Sequence, residues 1–226
     1  MNDFPFDLVG FDLDGTLVDS SADLAAAVNH VLAALDEPPL TVAQVRKNIG
    51  GGGRRMLARS LSDAGVAAPD PIDPLYDEMI AYYSGHIADE TRPFPGVPDA
   101  LRTLKSAGLN LAIVTNKGQR LAERLLEALG LAAYFEIVIG GDSVAKGKPA
   151  PDPLLEMMRR CGGGRAAFVG DSEYDVAAAH AAGLPCIAVS FGFPGKPVAE
   201  LGADAVIDDF AALPEALRTI GAQTGR

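Results

Sequence analysis

The sequence has little of what disulfide frameworks and cysteine–histidine metal centres are made from. Its 226 residues include two cysteines, Cys161 and Cys186, which are too few for a disulfide framework and form no metal-ligand set. The three histidines, His30, His86 and His180, are scattered along the chain without ligand spacing, so we expect them at the surface. Two isolated thiols are typical of a protein in a reducing compartment.

The sequence is also poor in positive charge and in long apolar runs. The 19 basic and 30 acidic residues give a formal net charge of −11, which repels nucleic acid and anionic membrane surfaces. A small anionic substrate is not excluded, because lysines, backbone N–H groups and a bound cation can reverse the sign within one cleft. No apolar run approaches the ~20 residues that cross a bilayer, and a signal-peptide pattern is missing. We therefore expect a cytoplasmic protein with no nucleic-acid or membrane partner.

What is present is an alternation of short apolar runs with helical patterns. The apolar runs, rich in Val, Ile and Phe, lie at residues 6–11, 109–114, 135–139, 166–169 and 186–189. Because they do not alternate with polar residues, they predict strands of a parallel sheet buried on both faces. Helical patterns follow at residues 97–107, 119–129, 153–160 and 175–182, and a small strand and a last helix at 205–207 and 213–220. The predicted fold class is α/β, with a doubly wound, mostly parallel sheet as its core.

One connection in this alternation is far longer than the others. Between Gly15 and the second predicted strand at Leu109 lie 93 residues, where a crossover needs about a dozen or more. The excess is rich in Ala and Leu, with helical patterns and no strand-like run. We therefore predict an inserted, all-α helical cap at residues 19–91 and an α/β core formed by residues 1–18 and 92–226.

Acidic pairs follow two of the predicted strands. Asp12 and Asp14 come directly after the first strand, and Asp171 and Asp175 follow the fourth. One carboxylate of such a pair can attack an electrophile while the other transfers a proton. The second pair suits a hard cation with oxygen ligands. A lone Asp-x-Asp is more often a helix cap or a solvated turn, so neither pair decides the chemistry by itself.

Candidate phosphate-binding groups follow the other two strands. Thr115 and Asn116 offer a hydroxyl and successive backbone N–H groups where a helix begins, which suits an anion, although a helix N-cap is commoner. Lys148 can neutralise the charge of a transferring phosphoryl group, whereas Lys146 is better explained as a solvated loop lysine. Open α/β sheets bind ligands at the carboxyl ends of their strands, so we expect the four segments to converge.

Four segments together resemble the signatures of a known family: DLDGTLV at residues 12–18, VTNK at 114–117, KPAP at 148–151 and GDSEYD at 170–175. With the helical insertion after the first of them, they are similar nearly end to end to the haloacid dehalogenase-like hydrolase superfamily. The stretches at residues 92–97, 141–143 and 197–204 most resemble its phosphoglycolate phosphatases. Dehalogenases of the superfamily lack an aspartate at the position of Asp14, which favours phosphoryl transfer here.

The resemblance implies a role for each signature residue. Asp12 would attack phosphorus and form an aspartyl-phosphate. Asp14 would protonate the leaving alcohol and then activate the water that hydrolyses the intermediate. Thr115 and the backbone of Asn116 would hold phosphate oxygens, and Lys148 would balance their charge.

The resemblance also implies a magnesium ion. Its ligands would be Asp12, the main-chain carbonyl of Asp14, and Asp171, while Asp175 would orient the metal waters or the catalytic lysine. The implied activity is magnesium-dependent hydrolysis of a small phosphate monoester, in particular 2-phosphoglycolate.

Other functions share much of this pattern. A sugar-phosphate phosphatase, a pyrophosphatase or a phosphomutase would use the same scaffold, and a mutase would differ in how long the aspartyl-phosphate survives. A receiver-like signalling module also phosphorylates an aspartate at a strand end. Such a module would be about half as long, with its acidic pair before the phosphorylated residue and no helical insertion. Monomer and homodimer both remain open.

The segment GGGGRR at residues 50–55 is the candidate for substrate selection by the cap. Gly52, Gly53 and Arg54 form a flexible entry into a helix, and the arginines would bind a substrate carboxylate. A helix-start loop whose arginines lie in water explains the segment equally well, because glycine-rich loops serve both purposes.

Overall fold

The structure is a computed structural model that describes residues 4–224. Its strands within that range are β1 (Leu8–Phe11), β2 (Val18–Asp19), β3 (Arg92–Pro93), β4 (Asn110–Val114), β5 (Ile137–Ile139), β6 (Ala166–Gly170), β7 (Cys186–Val189) and β8 (Ala205–Ile207). One sheet has the order β5-β4-β1-β6-β7-β8, and every neighbouring pair in it is parallel. The predicted α/β fold class is confirmed, with β1 at the point where the strand order changes direction.

Residues 20–91, which the structure describes throughout, contain helices and no strand. The helices are α1 (Ser21–Ala34), α2 (Val42–Arg46), α3 (Gly53–Asp63) and α4 (Asp73–Gly85). Their buried side chains, such as Val28, Leu57 and Met79, belong to the same core cluster as one face of the sheet. The division into a cap at residues 19–91 and a core stays a prediction.

The helices after β3 flank both faces of the sheet. They are α5 (Val97–Ser106), α6 (Gln119–Ala128), α7 (Asp152–Arg160), α8 (Glu173–Ala181) and α9 (Leu213–Thr224). Val9 and Phe11 of β1 pack in one core cluster with α5, α6 and α9, whereas Leu8 packs in the other with α7 and α8. Because successive strand residues face opposite sides, burial on both faces requires strands that are apolar throughout.

A short antiparallel ribbon was not predicted. It pairs Val18 with Pro93 and Asp19 with Arg92, where the chain leaves the sheet and returns to it. Nearby, the buried carboxylate of Asp23 accepts hydrogen bonds from the N–H and the hydroxyl of Thr91, at 2.9 and 2.6 Å. These contacts join residues far apart in the sequence, so no local pattern indicates them.

The final helix is longer than predicted. α9 continues to Thr224 instead of ending at residue 220. Gly221, which is a plausible helix stop, is buried against the N-terminal segment, where an added Cβ would approach Pro5 to 2.0 Å. The three histidines are exposed, as expected. Among the described residues, no helix has the length and apolar character needed to cross a membrane.

Candidate functional site

The four signature segments meet at the carboxyl edge of the sheet. Asp12 follows β1, Thr115 follows β4 and Asp171 is the first residue after β6. Because β1 lies between β4 and β6 in the sheet, these ends are neighbours. Lys148, on the loop after β5, reaches the same place, and all four side chains are buried. The structure thus places side by side the residues that the sequence predicted would meet at the strand ends.

Lys148 is the cation at the centre of this cluster. Its Nζ lies 2.9 Å from Asp12 Oδ1 and donates hydrogen bonds to Asp175 Oδ1 at 2.6 Å and to the carbonyl of Val114 at 2.8 Å. Burial alone would lower the pKa of the Lys148 ammonium, but the two carboxylates raise that pKa above its ordinary value. The charged form of Lys148 is therefore favoured, and its position is set from several sides.

The Lys148 ammonium offsets only part of the cost of burying the Asp12 carboxylate. Burial raises the pKa of Asp12 to about 6, and the Lys148 ammonium opposes the rise. Although the two groups form an ion pair, Asp12 Oδ1 is buried without a well-aligned hydrogen bond from any residue that the structure describes. A carboxylate oxygen that neither water nor a donor fully stabilises is well suited to bind an electrophile or a cation.

Asp171 and Asp175 differ in what their oxygens contact. Asp171 accepts hydrogen bonds from Thr16 Oγ1 at 2.9 Å and from the N–H of Phe193 at 2.7 Å. Asp175 Oδ2 accepts from Ser172 Oγ at 2.6 Å and from the N–H groups of Ser172 and Asp171 at 3.0 and 3.2 Å. The other oxygen of Asp175 accepts a hydrogen bond from Lys148. Asp175 therefore caps the start of α8 and fixes the position of the turn between β6 and α8.

The acidic cluster could bind a metal. Carboxylate oxygens of Asp12, Asp171 and Asp175 lie within 4.8 Å of one another. Burial, and then repulsion from the other two carboxylates, raises the pKa of Asp171 well above its usual range. The backbone of two glycines packs closely against it, since an added Cβ would lie 2.5 Å from Asp171 Oδ2 at Gly15 and 2.3 Å from Asp171 Cβ at Gly192. A buried, all-oxygen set of this kind fits a hard divalent cation.

A second acid–lysine pair, of a partly buried Asp14 and a buried Lys117, lies beside the first. Asp14 accepts hydrogen bonds from Ser20 Oγ at 2.6 Å and, on each of its oxygens, from Lys117 Nζ at 3.0 Å. The same ammonium lies 4.6 Å from the centre of the Tyr83 ring. Burial alone would lower the pKa of Lys117, but Asp14 and Tyr83 raise it above its ordinary value. Sequence reasoning gave Lys117 no role, although its place in the VTNK segment was a usable signal.

Thr115 and Asn116 are tied into the neighbouring loops. Thr115 Oγ1 accepts a hydrogen bond from the N–H of Lys117 at 3.2 Å. The side-chain amide of Asn116 donates to the carbonyls of Gly50 and Lys148, at 3.0 and 2.9 Å. The Asn116 side chain therefore joins the glycine-rich loop to the lysine loop, and its main chain is the part left for an anion.

The helical segment covers these groups and leaves a cavity above them. The cavity has a volume of about 590 Å³, including its part open to solvent, and Gly52 and Gly53 line it together with Asp12 and Asp14. Arg54 is not part of this lining.

Arg54 instead faces outward. Its Nη2 lies 2.7 Å from Asp73 Oδ1, its guanidinium lies 4.1 Å from the centre of the Tyr76 ring, and its side chain is 57% exposed. It borders a second, more open cavity that Lys148 also lines. A role for Arg54 in substrate selection stays a prediction.

Known proteins share this arrangement of sequence and fold. Residues 9–189 match a family described as haloacid dehalogenase-like hydrolase. A phosphoglycolate phosphatase of Agrobacterium fabrum is 43% identical over 210 residues, which cover 92% of this chain and 90% of that protein. One of Caulobacter vibrioides is 42% identical over 215 residues, covering 94% and 91%. The crystal structure of a predicted phosphoglycolate phosphatase from Haemophilus somnus has a TM-score of 0.88 and 32% identity, covering 95% of this chain and 99% of its own.

Proposed function

The chain belongs to the haloacid dehalogenase-like hydrolase family, as its four signature segments predicted. We propose that it is a magnesium-dependent phosphatase that hydrolyses 2-phosphoglycolate to glycolate and phosphate. Two relatives named phosphoglycolate phosphatase, each more than 40% identical over nearly the whole chain, support the substrate. The observation that carries the proposal is the close packing of Asp12, Lys148 and Asp171, with Asp14 on the same turn as Asp12.

In the first half of the reaction, Asp12 is the nucleophile. One of its oxygens bonds to phosphorus while the bond between phosphorus and the ester oxygen breaks, and the electron pair of that bond leaves with the ester oxygen. Asp14 donates a proton to this oxygen. Glycolate therefore departs with a neutral hydroxyl group and an unchanged carboxylate. The acid form of Asp14 supplies this proton, and Ser20 and Lys117 hold its carboxyl group in position.

In the second half, water hydrolyses the aspartyl-phosphate. The water oxygen bonds to phosphorus, the Asp14 carboxylate accepts the proton of the water, and the bond between phosphorus and Asp12 breaks to release phosphate. Both aspartates return to their starting protonation states once Asp14 has its proton again. A mutase would instead pass the phosphoryl group to a second sugar hydroxyl.

Positive charge and donors around the phosphoryl group support the transfer. Thr115 Oγ1 and the N–H of Asn116 bind its oxygens, and Lys148 offsets the charge that develops on them. Because the position of Lys148 is set by Asp175 and a main-chain carbonyl, its ammonium needs little reorganisation during the reaction.

Magnesium would be held by Asp12, the main-chain carbonyl of Asp14, and Asp171. When bound, it supplies positive charge that offsets the repulsion between the anionic nucleophile and the anionic phosphate. Both oxygens of Asp175 already accept hydrogen bonds, which supports a role in orienting Lys148 and the loop.

Residues 19–91 act as a cap over a core made of residues 1–18 and 92–226. The cavity draws its lining from both parts: Met56 and Met79 from the helical segment, and Asp12 and Thr115 from the strand ends. Closure of such a cap would keep bulk water away from the first step. The ribbon that pairs Asp19 with Arg92 supports this boundary. From composition we also infer a cytoplasmic location and a small phosphate ester as the partner.

The test is phosphate release from 2-phosphoglycolate, sugar phosphates and pyrophosphate, with magnesium and after chelation. We expect magnesium-dependent release that favours 2-phosphoglycolate, and a loss of at least about 10³-fold in Asp12→Asn because the nucleophile is removed. Asp36→Asn is a matched control, since this exposed aspartate has a φ of 58°, which asparagine also tolerates.

Each alternative has its own outcome. A preference for a sugar phosphate or for pyrophosphate would keep the mechanism and overturn the substrate. Undiminished release by Asp12→Asn would contradict the assigned nucleophile. No release from any ester would contradict a phosphatase.

A further inference from the structure

We propose that Lys117 and Tyr83 form a carboxylate subsite, which restricts turnover to short phosphate esters whose carboxylate lies on the carbon next to the ester oxygen. The inference rests on the proposed function and extends it to substrate selection. In the phosphoryl-transfer steps Tyr83 has no part and Lys117 acts only by orienting Asp14, and both side chains line the cavity above Asp12 and Asp14.

Lys117 brings a positive charge into this cavity. Among the described residues that line it, no other is a lysine or an arginine. The Lys117 side chain is 5% exposed, and its one ion-pair partner within residues 4–224 is Asp14, at 3.0 Å. The other buried lysine, Lys148, already contacts two carboxylates and a main-chain carbonyl. Lys117 is therefore the cation that a second anionic group of the substrate can reach.

Tyr83 supplies an independent observation. Its side chain is 1% exposed, and its buried hydroxyl forms no well-aligned hydrogen bond with any described residue, although the Lys117 ammonium lies close enough to donate to its oxygen. The neighbouring Lys117 ammonium is itself a donor, so it leaves the hydroxyl proton of Tyr83 in need of an acceptor. Burial raises the pKa of Tyr83 to about 12, which keeps that proton in place. A buried donor without a partner is unfavourable unless a ligand satisfies it.

Covalent geometry limits which carboxylate reaches these groups. Asp14 has to contact the ester oxygen in order to protonate it, and Lys117 contacts both oxygens of Asp14. In 2-phosphoglycolate the carboxylate carbon is two covalent bonds from the ester oxygen, a span of about 2.5 Å. A group that touches Asp14 is thus next to this carboxylate. A substrate with its carboxylate further along the chain would place a neutral group here.

The apolar side chains around Lys117 and Tyr83 make the charge of the substrate the property that is selected. The cavity lining includes Leu24, Met56, Met79 and Ile80. A carboxylate among such side chains is unfavourable unless it is paired, and charge-assisted hydrogen bonds supply the pairing. An uncharged ester of the same size would leave the Tyr83 hydroxyl without an acceptor and the Lys117 ammonium with Asp14 alone. A site built around polar groups rejects such analogues strongly.

The arginines of the glycine-rich loop are less well placed. Arg54 is paired with Asp73 and is 57% exposed, while the guanidinium of Arg55 lies 5.5 Å from the centre of the Tyr174 ring. Neither arginine lines the cavity. The loop contributes the backbone of its glycines instead, and the geometry favours Lys117 as the group that recognises the carboxylate.

The test compares 2-phosphoglycolate with ethyl phosphate, in which a methyl group replaces the carboxylate. The readout is the ratio of kcat/KM for the two esters. We expect Lys117→Met to lower this ratio about 100-fold and Tyr83→Phe about 10-fold, as for the loss of hydrogen bonds to a charged group. The loss should lie mainly in KM for 2-phosphoglycolate, and Lys117→Arg should recover part of it. Matched controls are Lys146→Met on an exposed loop and Tyr82→Phe, whose ring stacks between His30 and His86.

The outcomes separate this inference from the proposed function. Equal losses for both esters would overturn it, because Lys117 would then only hold Asp14. A wild-type enzyme that hydrolyses both esters equally well would also overturn it and would leave the phosphatase intact. If neither ester is hydrolysed, the proposed function fails, and calorimetric binding of both esters to the wild type and to Tyr83→Phe decides the subsite in the same way. Tyr83→Phe removes only a hydroxyl whose proton has no acceptor among the described residues, so it keeps the test valid if Lys117→Met fails to fold.

Discussion

The two buried lysines of the cleft are held in different ways. Lys148 contacts a main-chain carbonyl and the carboxylates of Asp12 and Asp175. Lys117 has one carboxylate partner, Asp14, and an aromatic ring on its other side, and it borders the cavity. An ammonium that is surrounded by acceptors stabilises a fixed cluster, whereas one with a side open to a cavity can bind an incoming anion. We therefore expect the two lysines to differ in which substrates depend on them.

The largest effect should come from Lys148→Met. We expect kcat to fall about 10³-fold for every ester alike, because the charge opposite the transferring phosphoryl group is lost. The free energy of unfolding should fall by about 3–5 kcal/mol, because two buried carboxylates lose their shared cation. Kinetics with 2-phosphoglycolate and ethyl phosphate, together with denaturant unfolding, would measure both quantities. A loss confined to 2-phosphoglycolate would reverse the comparison and assign carboxylate recognition to Lys148.

Magnesium binding should depend on the carboxylates of Asp12 and Asp171 and not on the Lys117 side chain. At about pH 7.5, magnesium at ~100 times its dissociation constant should raise the free energy of unfolding by about 2.7 kcal/mol. At about pH 5 this gain should shrink, because Asp12, whose pKa burial raises to about 6, must lose a proton before it can bind the metal.

In the metal-free protein, Asp12 also determines whether the free energy of unfolding rises or falls with pH. Between the ordinary Asp pKa of 3.8 and about 6, the folded state binds more protons at Asp12 than the unfolded state does. The contribution of Asp12 to the free energy of unfolding therefore falls as the pH rises through this window. Thermal scans with and without magnesium at both pH values would measure the effect. Asp171→Asn should remove the magnesium shift and Lys117→Met should retain it, and a shift independent of pH would contradict the assignment.

The smallest effect should come from Arg54→Ala. Arg54 forms an exposed ion pair outside the cavity, and such pairs contribute about 0–1 kcal/mol. We expect the preference for 2-phosphoglycolate over ethyl phosphate to change less than about five-fold. The same kinetic ratio used for Lys117 would measure it. A loss as large as that of Lys117→Met would instead place carboxylate recognition on the glycine-rich loop.

Strand ends were the most informative part of the sequence. Asp12, Thr115 and Asp171 each follow a short apolar run, and parallel strands bring their carboxyl ends to one edge of the sheet. For these residues a local pattern and one topological rule were enough to place them together. Tyr83 could not be identified in this way, because an aromatic residue in a helix usually indicates only core packing.

Contacts between distant segments were the least predictable part. The ribbon that pairs Asp19 with Arg92 is too short to have a strand pattern of its own. Its strands are two residues long, and their pairing depends on where the helical segment leaves and rejoins the sheet. The end of α9 is a similar case, because the packing of Gly221 against Pro5 extends a helix that a glycine would otherwise stop.

By itself the sequence determined the α/β class, the all-helical stretch after the first strand, and the four segments that carry the chemistry. Apolar periodicity and the polar residues that follow a strand are local properties, so a single sequence contains them. Only the tertiary structure decided that Lys117 faces Asp14, that Arg54 pairs with Asp73 outside the cavity, and that the hydroxyl proton of Tyr83 has no acceptor in the part of the chain that the structure describes. These features depend on distances between side chains from separate elements, which packing sets and no local pattern contains.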